Sequence, residues 1–92
     1  EKNLPDFSDP HVRRFEAGKV YDVGRLQVEA GQTIYLEGGA VLRGSMHAFE
    51  AHGARICGRG ILDGSHYAHH ELRLIVAEGC RDFTIDGITT VG

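Results

Sequence analysis

Three six-residue segments that each end in glycine recur along the chain, and this repeat limits the folds that the chain can adopt. The segments cover residues 26–31, 48–53 and 74–79, so their glycines lie 22 and then 26 residues apart. The residues that follow each glycine align in columns that step by 22 and then by 27 residues: Ile34, Ile56 and Phe83; Leu36, Gly58 and Ile85; Gly38, Gly60 and Gly87. Such self-similarity is the sequence signature of a repeat architecture.

We interpret the repeat as an all-β fold, a right-handed parallel β-helix (solenoid) of three to four short rungs of roughly 22 residues each. The segment 33–37 alternates apolar and polar residues, as a half-buried strand does. Glycine supplies 13 of the 92 residues, about twice its usual ~7%, and such an excess is typical of a fold with many tight corners. The alternative is a small antiparallel sandwich or barrel, which has turn signals about every 8–12 residues.

The composition excludes several other classes of protein. Leu, Ile, Val and Phe make up about a quarter of the chain, which is too much for intrinsic disorder. No apolar run approaches the roughly 20 residues of a membrane span, and the basic residues are scattered in a chain of net charge −3. We therefore expect neither a membrane nor a nucleic acid as a partner. Alignment of the repeats places Cys57 and Cys80 about 11 Å apart, so we expect two free thiols.

The repeat also divides the chain into segments. We expect residues 1–92 to form a single β-helix domain or a fragment of one. Residues 1–19 are predicted to be an N-terminal cap segment, since they carry apolar side chains that can cover the first rung, namely Leu4, Phe7, Val12 and Phe15. Residues 20–92 are predicted to be the rungs, with a polar loop insertion at 65–71 that lengthens the second interval of the repeat.

Three stretches of the sequence resemble early rungs of pectin-lyase-like β-helices. They are Gly-Lys-Val-Tyr-Asp-Val-Gly at 18–24, the glycine-bounded segment 31–44, and Gly-Arg-Gly-Ile-Leu-Asp-Gly at 58–64. From about residue 12 to residue 91 the chain is similar to polysaccharide-cleaving glycoside hydrolases of families 28 and 49, the polygalacturonase-like and dextranase-like enzymes. The resemblance implies a secreted or periplasmic protein whose full-length relatives hydrolyse glycosidic bonds, with a polysaccharide or oligosaccharide as partner.

The catalytic motifs of those families do not occur in this sequence. Their patterns are Asn-Thr-Asp, Asp-Asp, Gly-His-Gly and Arg-Ile-Lys, and none of the four is found here. Glycoside hydrolysis needs two carboxylates that flank the scissile bond. Asp63 and Asp86 each precede a glycine, and we expect both to be turn carboxylates that accept backbone N–H groups rather than a stacked pair. We therefore assign no catalytic residue and no cofactor, and enzyme activity stays an open question.

A histidine-rich stretch after Asp63 holds the candidate ligand-binding residues, which are Asp63, His66, Tyr67, His69, His70 and Glu71. One interpretation is a loop that contacts carbohydrate, with Tyr67 as a stacking face. A second is a metal site, because imidazoles bind Zn, Ni and Cu, and a third is a solvated insertion with no role. The spacing differs from the helical His-Glu-x-x-His pattern, so we assign no metal ligand.

Taken together, these features predict the N-terminal β-helix portion of a polysaccharide-acting glycoside hydrolase, non-catalytic on its own. The alternative is a small stand-alone β-helix module for binding or assembly. Only four residues follow Ile88, so we expect Phe83, Ile85 and Ile88 to line an open face. Either a second copy of the chain, giving a homo-oligomer, or missing C-terminal rungs would cover that face.

Overall fold

The computed structural model describes residues 5–65 and 75–91, which form nine β-strands and include no helix. The strands are β1 (Val12–Phe15), β2 (Val20–Val28), β3 (Thr33–Leu36), β4 (Val41–Phe49), β5 (Arg55–Gly58), β6 (Ile61–Asp63), β7 (Ile75–Glu78), β8 (Thr84–Asp86) and β9 (Thr89–Val91). The predicted all-β class is therefore confirmed for these residues. They also contain no helix long and apolar enough to cross a membrane.

The strands form two sheets in which every strand pair is parallel. One sheet has the order β1-β3-β5-β8, which we call sheet A, and the other has the order β2-β4-β6-β9, which we call sheet B. Strand β7 pairs with the second half of β4. The first six strands alternate between the sheets along the chain, and the two sheets are not closed into one. The antiparallel sandwich or barrel considered from the sequence is thus wrong.

The register of sheet A confirms one step of the predicted repeat and corrects the next. Ile34 lies opposite Ile56, and Leu36 lies opposite Gly58, as the 22-residue step requires. In the following strand, however, Ile85 lies opposite Ile56. The sequence alignment had placed Phe83 there, so the second step is two residues longer than predicted. Phe83 instead precedes β8 and packs against the core.

Sheet B shows a similar two-residue difference. Leu26 lies opposite Met46, whereas the glycine-based alignment placed it over Ala48. In the first half of the sheet, Val41 pairs with Ile61. At the far edge Thr89 lies opposite Ile61. Ile88 is partly buried and packs against the core.

The hydrophobic core is one cluster, and strands of both sheets contribute side chains to it. Its largest fully buried side chains are Ile34, Leu36, Leu42, Met46, Ile56, Leu62 and Val28. Burial of such a side chain stabilises the fold by about 1.5–3 kcal/mol relative to exposure. The alternation along each strand that buries these residues also points the intervening residues outward.

Two glycines mark places where neighbouring strands approach too closely for a side chain. Gly44 has φ 142°, and a Cβ there would lie 2.1 Å from the carbonyl oxygen of Gly24. Gly58 has φ 111°, and its Cβ would lie 2.1 Å from the carbonyl oxygen of Leu36. Glycine is therefore required at both positions for steric as well as conformational reasons.

The segment predicted as a cap contains β1, which pairs with β3 at the edge of sheet A. Before β1, the Phe7 ring lies 5.2 Å from the Tyr35 ring, and the Arg14 guanidinium lies 4.5 Å from the centre of the Phe7 ring. Arg14 also forms an ion pair with Glu37. These contacts place the chain before β1 against the outward side of β3, and the division into a cap and rungs stays a prediction.

Candidate functional site

Most of the candidate ligand-binding residues predicted from the sequence lie outside the described residues. These are His66, Tyr67, His69, His70 and Glu71, and their role stays a prediction. Asp63 is described: it ends β6, where its Oδ1 atom accepts a hydrogen bond of 2.8 Å from the backbone N–H of Ser65. The turn role expected of Asp63 is thereby confirmed.

Asp86, the other aspartate that precedes a glycine, lies in a different sheet from Asp63. It ends β8 in sheet A, opposite Cys57, whereas Asp63 ends β6 in sheet B, opposite Arg43 and Val91. The sequence alignment predicted that the two carboxylates do not stack, and the structure agrees. Asp63 and Asp86 are not neighbours in either sheet, so strand pairing does not bring them together as a glycosidase pair.

The described residues contain a different polar cluster, on the outward side of the central strand β4. Alternation turns Leu42, Met46 and Ala48 into the core. The residues between them point outward, and we call their surface the β4 outer face: it consists of Arg43, Ser45, His47 and Phe49. Because β4 has partners on both sides, this face lies in the middle of sheet B.

Ser45 and His47 are joined by a hydrogen bond on this face. The Ser45 Oγ atom lies 3.0 Å from His47 Nε2, and Ser45 is only 5% exposed. Burial lowers the pKa of His47 below its ordinary value, and the nearby positive charge of Arg25 lowers it further. Both effects favour the neutral ring. A neutral ring that carries its proton on Nδ1 accepts a hydrogen bond from the Ser45 hydroxyl group at Nε2.

Arg43 stands two residues before Ser45 on the same face. In the ladder it lies between Asp22 of β2 and Asp63 of β6. Its Nε atom is nevertheless buried and has no hydrogen-bond partner among residues 5–65 and 75–91. Buried donors are nearly always paired, so an unpaired guanidinium donor is a feature that calls for an explanation.

The rest of the cluster comes from the strands beside β4. Arg25 of β2 lies opposite Ser45, and Gln27 lies opposite His47. At the end of β4, the Phe49 side chain is 65% exposed. The β4 outer face thus combines hydroxyl, imidazole, guanidinium and amide groups with one exposed aromatic ring, a set that can bind a polar ligand with apolar faces.

The three residues predicted to line an interface differ in how exposed they are. Ile85 is 47% exposed on the edge strand β8. Phe83 and Ile88 are partly buried and pack against the core. Of the three, only Ile85 presents a largely open apolar surface, and the interface itself stays a prediction.

Sequence reasoning missed the β4 outer face. The signal was present in principle, because Arg43, Ser45 and His47 occupy every second position of a segment whose other residues are apolar or glycine. No group of three or more His, Cys, Asp or Glu that could hold a metal ion occurs in the described part of the chain. Cys57 and Cys80 are free thiols, as predicted.

Comparison with known proteins gives no relative for this chain. No protein-family model matches it, and neither a curated protein nor a solved structure is significantly similar to it.

Proposed function

We propose that the two parallel sheets are sides of a right-handed parallel β-helix and that this chain is the N-terminal portion of a polysaccharide-acting β-helix protein. The observation that carries the proposal is the alternation of parallel strands between two sheets with steps of 22 residues (Ile34 to Ile56) and 20 residues (Val41 to Ile61). A chain that returns to parallel registers at such short intervals winds in one direction around one core. The resemblance of residues 58–64 to early rungs of pectin-lyase-like β-helices supports the same assignment.

In this proposal, the β4 outer face is one edge of a sugar-binding groove. Sugars present hydroxyl groups that exchange hydrogen bonds with exposed side chains such as Arg25 and Gln27. The exposed ring of Phe49 offers a flat apolar surface for the C–H face of a sugar. Asp63, the one described residue of the predicted ligand-binding set, ends the neighbouring strand β6 opposite Arg43.

The chain is proposed to be non-catalytic towards glycosides when it is isolated. The four catalytic patterns of the families it resembles are missing from its sequence, and Asp63 and Asp86 lie in different sheets. Glycosidases need carboxylates about 5–9.5 Å apart across the scissile bond. The protein would thus contribute scaffold and binding surface, and the resemblance suggests a secreted or periplasmic setting.

Affinity electrophoresis in gels that contain dextran or polygalacturonate tests this proposal. We expect the wild-type protein to be retarded by at least one of the two polysaccharides, and Phe49→Ala to lose most of that retardation. Val20→Ala is the matched control, because Val20 is also an exposed apolar residue of sheet B and lies away from the cluster. Neither protein should release reducing sugar from either polymer.

Two outcomes would contradict the proposal. One is a wild-type mobility that is the same with and without both polysaccharides. The other is glycoside turnover that disappears on Asp63→Asn or Asp86→Asn, since this would show a catalytic carboxylate in the isolated chain.

A second candidate function is a small assembly module that pairs through the β8 and β9 end. The specific observation is that Ile85 and Val91 are 47% and 45% exposed on strands that form the edges of their sheets. Exposed edge strands with apolar side chains favour pairing with another chain. Light scattering should then show a dimer that Ile85→Lys dissociates and Val20→Lys preserves. A stable monomer at high micromolar concentration would exclude this candidate.

A further inference from the structure

One group of residues on the β4 outer face has chemistry that sugar binding does not use. Ser45 is a buried hydroxyl hydrogen-bonded to an imidazole at 3.0 Å. Two residues earlier on the same side of β4, Arg43 holds a buried N–H donor that no described residue accepts. A hydroxyl hydrogen-bonded to an imidazole is the nucleophile–base arrangement that acyl transfer requires, and a donor without a partner on the same side of the strand is a candidate for the oxyanion.

We propose that Ser45 and His47 form a nucleophile–base pair that hydrolyses esters of small carboxylic acids, with the Arg43 Nε–H group as donor to the oxyanion. Three observations carry the proposal: the Ser45–His47 hydrogen bond of 3.0 Å, the position of all three residues on alternate sites of one central strand, and the unpartnered Arg43 donor.

The first half of the reaction transfers the acyl group to the protein. The Ser45 Oγ atom attacks the ester carbonyl carbon, its proton moves to His47 Nε2, and the carbonyl electron pair moves onto oxygen. The Arg43 Nε–H group donates to that oxyanion, which is where such a donor contributes most to catalysis. The oxyanion then collapses, the bond to the alcohol oxygen breaks, and the alcohol leaves with the proton from His47.

The second half restores the free serine. Water attacks the acyl–Ser45 carbonyl carbon as His47 takes one of its protons. The bond from carbon to Ser45 Oγ breaks, and His47 returns the proton to the serine oxygen. The sum is ester plus water giving carboxylic acid plus alcohol, so the reaction needs no oxidant, reductant or further reactant.

The protonation state of His47 suits the role of a base. Burial, followed by the charge of Arg25, holds the pKa of His47 below the ordinary histidine value, so the ring is neutral and able to accept a proton at pH 7. The low exposure of Ser45 sets the size of the substrate. We therefore expect a short acyl group such as acetyl to react faster than a long one.

A purely structural hydrogen bond would give a different result from a reactive pair, and this difference provides the test. The purified protein is incubated with p-nitrophenyl acetate and with p-nitrophenyl octanoate, and separately with a fluorophosphonate that labels activated serines. We expect hydrolysis of the acetate well above that of the octanoate. Peptide mass spectrometry should find the fluorophosphonate on Ser45.

Variants assign the roles of the residues. Ser45→Ala and His47→Gln should each lower the rate of acetate hydrolysis by about 10²-fold or more, and Arg43→Gln should lower kcat by about 10²-fold. Ser8→Ala and His11→Gln are matched controls, since both residues are exposed and lie before β1, and they should leave the rate unchanged. The wild-type rate should rise with pH through the lowered pKa of His47 and then level off.

Any of three results would overturn the proposal. The first is absence of fluorophosphonate on Ser45 in the folded wild-type protein, a result that does not depend on how any variant folds. The second is labelling of Ser8 or Ser65 in its place. The third is a folded Ser45→Ala protein that retains the wild-type rate, because the hydrolysis would then come from ordinary surface groups.

Discussion

The strands before residue 65 and those after residue 75 follow the same parallel pairing but differ sharply in burial. Strands β3, β4, β5 and β6 each contribute at least one fully buried side chain to the core. Strands β7, β8 and β9 contribute none that is fully buried, although they continue the same sheets. The two regions therefore share a backbone pattern and differ in how much apolar surface they bury.

Strand pairing alone therefore does not make a core in this molecule. Ile56 and Ile85 are the same residue type, and they lie opposite each other in the ladder of sheet A. Ile56 is fully buried because strands lie on both sides of it, whereas Ile85 is 47% exposed at an edge. Most of the hydrophobic stabilisation is thus expected to come from the strands that have two neighbours.

Ile56→Ala and Ile85→Ala provide the strongest test of this comparison. Removal of the fully buried side chain should lower the free energy of unfolding by about 2–5 kcal/mol, because it leaves a cavity in the core. Removal of the half-exposed one should cost about 1 kcal/mol. Urea denaturation of the two variants measures both values. Equal losses would show that the β8 edge is as well packed as the centre.

Gly58→Ala and Gly87→Ala compare the backbone of the two regions. A Cβ at Gly58 would lie 2.1 Å from the Leu36 carbonyl oxygen, and one at Gly87 would lie 2.4 Å from the Gly58 carbonyl oxygen. Both positions have positive φ. The central position should cost about 3 kcal/mol and the edge position less, since β8 has no described strand on its far side and can shift.

Thermal unfolding followed by circular dichroism measures this second pair. The comparison predicts a clearly lower Tm for Gly58→Ala than for Gly87→Ala. A larger loss for the edge glycine would mean that β8 is held more rigidly than its exposure indicates.

Acidification should produce the smallest change in the free energy of unfolding, and this change should depend on His47 of the central strand β4. The pKa of His47 is lowered in the folded protein by burial and by Arg25, so the unfolded chain takes up a proton more readily. The free energy of unfolding should therefore fall as the pH drops below about 6.5 and level off below the lowered pKa. His47→Gln should show a shallower fall over the same range. An identical fall in both proteins would place the responsible group elsewhere.

The sequence was sufficient to predict the all-β class and the first 22-residue step of the repeat. The errors in strand register have one physical cause. Side chains alternate between the two faces of a strand, so a one-residue slip exposes the core, whereas a two-residue slip keeps every side chain on its own face. The sequence therefore could not decide whether Phe83 or Ile85 lies opposite Ile56. The same ambiguity placed Leu26 over Ala48 rather than over Met46.

The candidate site was less predictable than the fold. The turn role of Asp63 follows from local chemistry, because an aspartate before glycine commonly binds a nearby backbone N–H. The Ser45–His47 pair has no comparable sequence motif. Its properties depend on burial within sheet B and on Arg25, which comes from another strand, and neither can be read from residues next to each other in the sequence.

The two short strands that pair with β4, β6 and β7, indicate where this protein can accept insertions during evolution. Strands β2 and β4 each continue for nine residues, whereas the next layer meets β4 as two separate pieces, β6 and β7. Both β6 and β7 pair with β4 in parallel register. The sheet therefore depends on where β6 ends and β7 begins, and not on the number of residues that connect them. Because the entropy cost of a longer connection grows slowly, we expect sequence inserted after Gly64 to leave the pairing of β6 and β7 with β4 intact.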